Sequence, residues 1–275
     1  MEDPEPVVLY EIARVRKSFE EADGEVLCGV DLTLHRGETL GIVGPSGAGK
    51  SVLLKCMVGL LPIDAGEIRF DGGSVPAMGL PELIHLRQRV GLLFQGAALF
   101  DSDTVEDNLE FGLREQFART MSTPQRRARV HWALDAVGLR GTEASMPSDL
   151  SGGMRKRVGI ARTIITQPEV VLFDEPTQGL DPPNAHRIAD LIVHLREKLS
   201  ITSVVVSHDL RTVFTVCDRI AMLVDGCVVE VGPPRSLAES KNAAVRDFIV
   251  GHPSEEPFDP AAWHAPEPWD GSGKK

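Results

Sequence analysis

GPSGAGKS, residues 44–51, stands between the apolar run ETLGIVG at 38–44 and the apolar-periodic run VLLKCMVGLL at 52–61. Strand, glycine-rich turn and helix, in that order, are the context in which G-x-x-x-x-G-K-[ST] acts as a phosphate-binding loop. Glycine reaches backbone conformations closed to other residues, so successive N–H groups can turn inward around an anion. The helix that follows aims the positive end of its dipole at the same point. The stretch therefore predicts that Gly44, Pro45, Ser46, Gly47, Ala48, Gly49, Lys50, Ser51 and Val52 bind the phosphates of a nucleotide. Lys50 brings a compact charge to the β- and γ-phosphates, and the Ser51 hydroxyl is a ligand for Mg²⁺.

Ligands of open α/β sheets collect at the carboxyl ends of the strands. VVLFDEP, residues 170–176, is a second apolar strand, and it ends in two acids. A parallel strand covered on both faces is expected to be apolar throughout. Side chains alternate along an extended segment, so Asp174 and Glu175 are expected to point to different sides. Asp174 is the candidate Mg²⁺ ligand, and Glu175 the candidate general base or water-orienting group. An acid pair after a strand is often only a solvated turn; the phosphate loop in the same chain favours the catalytic reading.

The rest of the chain arranges itself around these two strands. VVLYEIARVRKSF and VLCGVDLTL, within residues 7–34, alternate in short pieces and read as a small antiparallel β lobe. GEIRFDG is a short strand, and RVGLLFQ is another that ends at Gln95. From about 104 to 166 the apolar spacing becomes three and four, which is helical. EVVLF, TSVVV and RIAMLV then return as strands separated by helical runs. The expected fold is α/β with a mostly parallel sheet core. An N-terminal antiparallel β lobe and a helical insertion at about 104–166 complete one nucleotide-binding domain at 7–250. Residues 251–275 are rich in Pro, acids and small residues, with Phe258, Trp263 and Trp269 as isolated anchors. Such a tail is not expected to form its own core.

LSGGMRKR, residues 150–157, supplies a second anion site. Ser151 stands where a helix N-cap belongs, and Gly152 and Gly153 expose the first N–H groups of that helix. Arg155, Lys156 and Arg157 follow a turn later and are expected to form a solvated or interdomain face.

Composition narrows the function classes. The net charge of −11 disfavours a nucleic-acid partner, because phosphate-backbone binding needs a basic surface. Aromatics at 5% leave little for stacking on single strands. Cys28, Cys56, Cys217 and Cys227 form no C-x-x-C pair, so zinc and thioredoxin-like readings fail; buried thiols in a reducing compartment are expected. With neither a basic-then-apolar leader nor a run of 18 apolar residues, a cytoplasmic protein is expected, reaching a membrane only through a partner.

Taken in order over about residues 8–250, these motifs resemble the ATP-binding subunit of ABC transporters. GPSGAGKS resembles the Walker A loop, VVLFDE Walker B, Gln95 the Q-loop glutamine and LSGGMRKR the family signature. Asp181 in GLDP resembles the D-loop aspartate, and His208 in VVVSHD the switch histidine. Phe19 sits where the family places an aromatic under the adenine. Alone, Gln95 reads as a strand-end polar residue, His208 as an ordinary helix-start residue and Phe19 as core. The resemblance implies that the chain hydrolyses ATP with Mg²⁺ as a head-to-tail homodimer. Each ATP would lie on one Walker loop and be covered by Ser151, Gly152 and Gly153 of the other subunit. Gln95 would sense Mg²⁺ and the permease, and His208 would hold the γ-phosphate and the attacking water.

DGGSVPAMGLPELIHLRQRVGLLFQGAALFDSDTVEDNLEFGLRE and Met154 in the signature narrow the resemblance to ATPases of Mla-type lipid transporters. That group implies a multi-span transmembrane permease, a lipid-binding domain protein and a small regulatory subunit. The chain would then work at the cytoplasmic face of the inner membrane, held there through the permease. Its tail at 251–275 is a candidate dimer contact. Gln178 departs from the pattern, where Ser or Ala is usual, and is not expected to abolish hydrolysis. An importer or exporter of amino acids or metal chelates is the alternative. A translation or DNA-maintenance ATPase is disfavoured, since tandem cassettes and a coiled-coil insertion are both missing.

Overall fold

The structure is a computed structural model that describes residues 6–20, 24–117 and 120–250. The tail anchors Phe258, Trp263 and Trp269 lie outside the described residues.

The first elements along the chain are β1 (Val8–Ser18), β2 (Glu25–His35), β3 (Thr39–Val43), α1 (Lys50–Met57), β4 (Ala65–Phe70), β5 (Gly73–Ser74) and α2 (Leu80–Arg89). Next come β6 (Val90–Leu93), α3 (Val105–Phe117), α4 (Thr123–Ala136), α5 (Gly152–Ile164), β7 (Val170–Asp174) and α6 (Pro182–Leu199). The chain closes with β8 (Thr202–Val206), α7 (Leu210–Val216), β9 (Arg219–Val224), β10 (Cys227–Gly232), α8 (Pro234–Ala238) and α9 (Ala243–Val250). The described residues fall into two compact units, one of residues up to 87 with those from 202 onward, the other of residues 88–201.

In the first unit the expected antiparallel lobe is present and larger than expected. β1 pairs antiparallel with both β2 and β4, and β5 completes the sheet. Tyr10 and Phe70 face each other across β1 and β4 with ring centroids 4.8 Å apart. The buried Tyr10 hydroxyl donates to the Met57 carbonyl at 3.1 Å, so the last turn of α1 is tied to the lobe. β3 lies between β8 and β9, parallel to both, and β10 returns antiparallel to β9. Every residue of β3 and β8 is buried, as two-sided covering of a parallel strand demands. A Cβ at Gly41 would lie 2.6 Å from Val213 Cγ1, so a glycine there lets α7 close onto β3.

The second unit carries the parallel pair β6 and β7 with α3, α4, α5 and α6. Arg89 holds the start of this pair by donating to both carboxylate oxygens of Glu169, at 2.5 and 3.0 Å. α5 packs on β6, and glycines at 91 and 159 permit it: a Cβ at either would come within 2.8 Å of Thr163 or Ala97. α3, α4 and α5 pack on one another, and Glu110 on α3 bridges to Arg126 on α4 at 3.0 Å.

Three local readings change. RVGLLFQ stops being a strand at Leu93, two residues before Gln95. The helix after the phosphate loop ends at Met57, and Gly59 turns the chain with φ 62. Of the four thiols only Cys56 and Cys217 are buried; Cys28 and Cys227 are half-buried, and all four are free. Burial pushes the Cys56 thiol up to about 11, which leaves it unreactive at neutral pH.

Candidate nucleotide site

The first unit builds the phosphate loop from the end of β3 to the start of α1. Gly44 has φ 151, and a Cβ there would overlap the Leu223 carbonyl oxygen at 1.9 Å. Gly49 has φ 97, and a Cβ there would press on Val26 O at 2.7 Å. Glycine is required at both points, so that the loop can pass close to two neighbouring strands. Gly47 has φ 85 with open space around it, which suits approach by a ligand rather than packing. Lys50 is buried, and its ammonium donates to Gly44 O at 2.7 Å and Pro45 O at 2.8 Å, bracing the loop from inside. No side chain caps α1 at Gly49. A glycine-rich turn, an uncapped helix start and a buried cation fit a phosphate.

His208 follows β8 in the same unit. Ile42 of β3 pairs with Val206 of β8, so Gly44 and His208 each lie two residues beyond paired positions, at the same end of adjacent parallel strands. The backbone on either side of His208 is fixed. Before it, Ser207 N–H donates to Ile42 O at 3.3 Å; after it, Asp209 caps α7 by accepting from Arg211 N at 3.0 Å. Phe19, just past β1, is 37% exposed with Lys17 Nζ 5.3 Å from its ring centre, so it is a surface aromatic rather than core. Tyr10, by contrast, is fully buried.

The second unit carries the acids and the signature. Asp174 is the buried last residue of β7. Glu175, also buried, has φ 49 and lies outside the strand. The expected alternation of the two carboxylates therefore gives way to a left-handed turn, which only the surrounding contacts can hold in a residue with a side chain. Those contacts converge on the Glu175 carbonyl, which accepts from Gln178 N–H at 3.3 Å and from Lys156 Nζ at 3.2 Å. Gln178, the departure from the family pattern, also takes the Q-loop residue in hand: its Oε1 accepts from Gln95 Nε2 at 2.5 Å.

Ser151 caps α5, its hydroxyl accepting from Met154 N–H at 3.3 Å. Ser151 and Gly152 are exposed, whereas Gly153 is buried, with its Cβ position 3.1 Å from Asn184 Oδ1. The first glycine leaves the helix start open; the second lets α6 approach. Asp181 caps α6 by accepting from Asn184 N–H at 3.1 Å, a structural role that the sequence did not suggest.

Of the cations expected on a solvated or interdomain face, Arg155 is exposed, Arg157 half-buried and Lys156 buried. Arg155 donates to Leu150 O at 2.6 Å, and Arg157 to Val137 O and Gly138 O, both at 3.3 Å. Lys156 is 7% exposed, and burial lowers its pKa against the opposing pull of Glu175 and Asp174. The signal was available: Lys156 falls on the 153–156–160–164 spacing of the buried face of α5.

Phosphate loop, strand-end acids and capped signature helix define an ATP-hydrolysing P-loop ATPase. The chain belongs to the ABC transporter family, whose profile matches residues 27–178. It is 39% identical over 234 residues to the intermembrane phospholipid transport system ATP-binding protein MlaF of Escherichia coli (strain K12), covering 85% of this chain and 86% of that protein. It is 41% identical over 209 residues to the methionine import ATP-binding protein MetN of Carboxydothermus hydrogenoformans, covering 74% of this chain and 59% of that one. Among solved structures, the ATP-binding cassette MJ0796, dimeric and bound to ADP and Pi, superposes with a TM-score of 0.76 at 31% identity, over 82% of this chain and 99% of that one. The chain is thus the ATPase subunit of a transporter.

Proposed function

We propose that this ATPase drives the movement of phospholipids between membranes, working as a homodimer bound to a transmembrane permease. The observation that carries the reading is the 39% identity with MlaF over 85% of the chain, a larger share than the MetN match takes in. The MetN identity of 41% supports a second reading, an amino-acid importer with the same chemistry. Among the described residues no helix is long and apolar enough to cross a membrane; in this reading the cargo passes through the permease. The proposed station is the cytoplasmic face of the inner membrane. A lipid-binding domain protein and a small regulatory subunit complete the proposed assembly.

In this reading Gly44 to Val52 cradle the phosphates, Lys50 sits on the β- and γ-phosphates, and Phe19 lies under the adenine. Ser51, Gln95 and Asp174 would hold Mg²⁺, which supplies charge neutralisation across the β- and γ-phosphate oxygens. An alcohol, an amide oxygen and a carboxylate are the hard oxygen donors that such a cation takes. Glu175 accepts the proton of the attacking water, and His208 holds the γ-phosphate. Ser151, Gly152 and Gly153 present the start of α5, and Asp181 the start of α6, to the nucleotide bound by the other subunit. Gln95 Nε2 donates to Gln178 Oε1, and in this reading Gln95 would offer its Oε1 to the metal. Gln178→Ala should raise the Mg²⁺ concentration for half-maximal hydrolysis by about two- to tenfold while leaving metal-free ATP binding unchanged, read by titrating each separately.

Phe100 and Phe111 stack edge to face at 5.1 Å and are 41% and 49% exposed, with Phe94 open beside Gln95. An exposed aromatic patch of this kind marks a partner surface, and the proposed partner is a cytoplasmic helix of the permease. The test is purification of the tagged chain from membranes, with mass spectrometry of the bound protein and lipid. Co-purification of a multi-span permease carrying phospholipid is expected, and the Phe100→Ser, Phe111→Ser double variant should lose most of the permease while keeping the ATPase rate of the isolated chain. A permease loaded with amino acid would move the assignment to the second reading.

A further inference from the structure

Lys156 is the one buried cation of the second unit, among the described residues, whose hydrogen bond reaches the hydrolytic acid's own backbone. Its Nζ lies 3.2 Å from Glu175 O, and its side chain runs inward from α5, whose cap is Ser151. The acceptor matters. Glu175 and Asp174 balance the Lys156 charge, but its hydrogen bond is made to a backbone oxygen. Here the donor is aimed at the carbonyl of a non-glycine residue at φ 49, which also accepts from Gln178 N–H. That peptide sets the direction in which the Glu175 side chain leaves the chain. Lys156 stands one to two turns from Ser151 and Gly152, on the same rigid helix, where Val158, Ile160, Ala161 and Ile164 are all buried.

We propose that Lys156 is a positioning residue that couples the two nucleotides of the dimer. The inference rests on the assignments above, in which Ser151 to Gly153 meet the nucleotide of the other subunit and Glu175 serves the nucleotide of its own. Engagement of the signature end of α5 is passed through Lys156 to the turn at Glu175. Binding at one site thereby sets the carboxylate at the other. No proton or bond changes hands in this step; a hydrogen bond fixes a backbone.

The test uses the full chain with Lys156→Met, Lys156→Gln and Lys156→Arg, beside Glu175→Gln. Lys156→Met, which keeps the unbranched apolar stem but removes the donor, should lower kcat by about tenfold or more with KM and fluorescent-ATP affinity changed by less than about twofold. The Hill coefficient of hydrolysis in ATP should fall to about 1. At least one of Lys156→Gln and Lys156→Arg, which keep an N–H donor, should recover most of kcat. Hydrogen exchange of the Thr177 and Gln178 amides gives a reading without turnover. A non-hydrolysable ATP analogue should slow it in the wild type and not in Lys156→Met. An unchanged kcat and Hill coefficient, a loss of kcat matched by an equal loss of nucleotide affinity, or analogue protection that persists in Lys156→Met each overturns the inference. If Glu175→Gln hydrolyses normally, the site assignment itself fails; if Glu175→Gln is inactive while Lys156→Met behaves as wild type, only the role of Lys156 falls.

Discussion

Glu175→Gln should leave ATP bound and slow its hydrolysis by about a hundredfold to ten-thousandfold, the range that a positioned general base contributes. The substitution changes almost nothing but the acid. Gln has nearly the same length and volume, and the carbonyl contacts of Lys156 and Gln178 that hold the turn at Glu175 do not depend on the side-chain acid. The phosphate loop, with Lys50 braced on Gly44 and Pro45, is untouched. The cradle therefore still binds the triphosphate, while the water has lost the group that takes its proton. The measurement is single-turnover phosphate release beside ATP retention after gel filtration. Retained ATP with little phosphate is expected. Turnover at the wild-type rate would remove Glu175 from the mechanism.

What was legible in the sequence was whatever depends on near neighbours. The loop at 44–51 could be read because strand, turn and helix are contiguous, and its glycines are forced by backbone approach at Gly44 and Gly49. The cap at Ser151 could be read for the same reason: a hydroxyl and the N–H three residues on are a local pair. The β strands of the core could be read because burial on both faces leaves an apolar run. Elsewhere the deciding contact lies far along the chain. Gln95 and Gln178 are 83 residues apart, and no spacing rule joins them. The turn at Glu175 is held by Lys156, 19 residues earlier. The cation run at 155–157 was read by its charge when its helical phase, which sets Lys156 on the buried face, was the better guide. α2 was missed although Leu80, Leu83 and Ile84 carry a helical spacing; its burial does not follow that spacing, since Leu80 and Ile84 are exposed and Leu86 is its one buried residue.

A dimer assembled from one Lys50→Ala chain and one Ser151→Arg chain should regain what neither variant does alone. Lys50→Ala removes the charge that meets the phosphates together with the brace across Gly44 and Pro45, and should weaken ATP binding by about ten- to a hundredfold. Ser151→Arg leaves that loop intact but removes the α5 cap and sets a long cation at the exposed start of the helix. If each nucleotide is held by the loop of one chain and the signature of the other, both homodimers have two damaged sites. The mixed dimer concentrates both lesions in one site and leaves the other whole. If loop and signature acted within one chain, every site in the mixture would stay damaged. Independent sites predict about half the wild-type hydrolysis per mixed dimer. The Lys156 coupling predicts less than that, because the intact site would no longer be set by an engaged neighbour, while ATP-driven dimerisation would still exceed that of either homodimer. Sedimentation with ATP and hydrolysis in differently tagged, co-purified chains read the two quantities separately. Dimerisation no greater than in the homodimers would rule out a shared site.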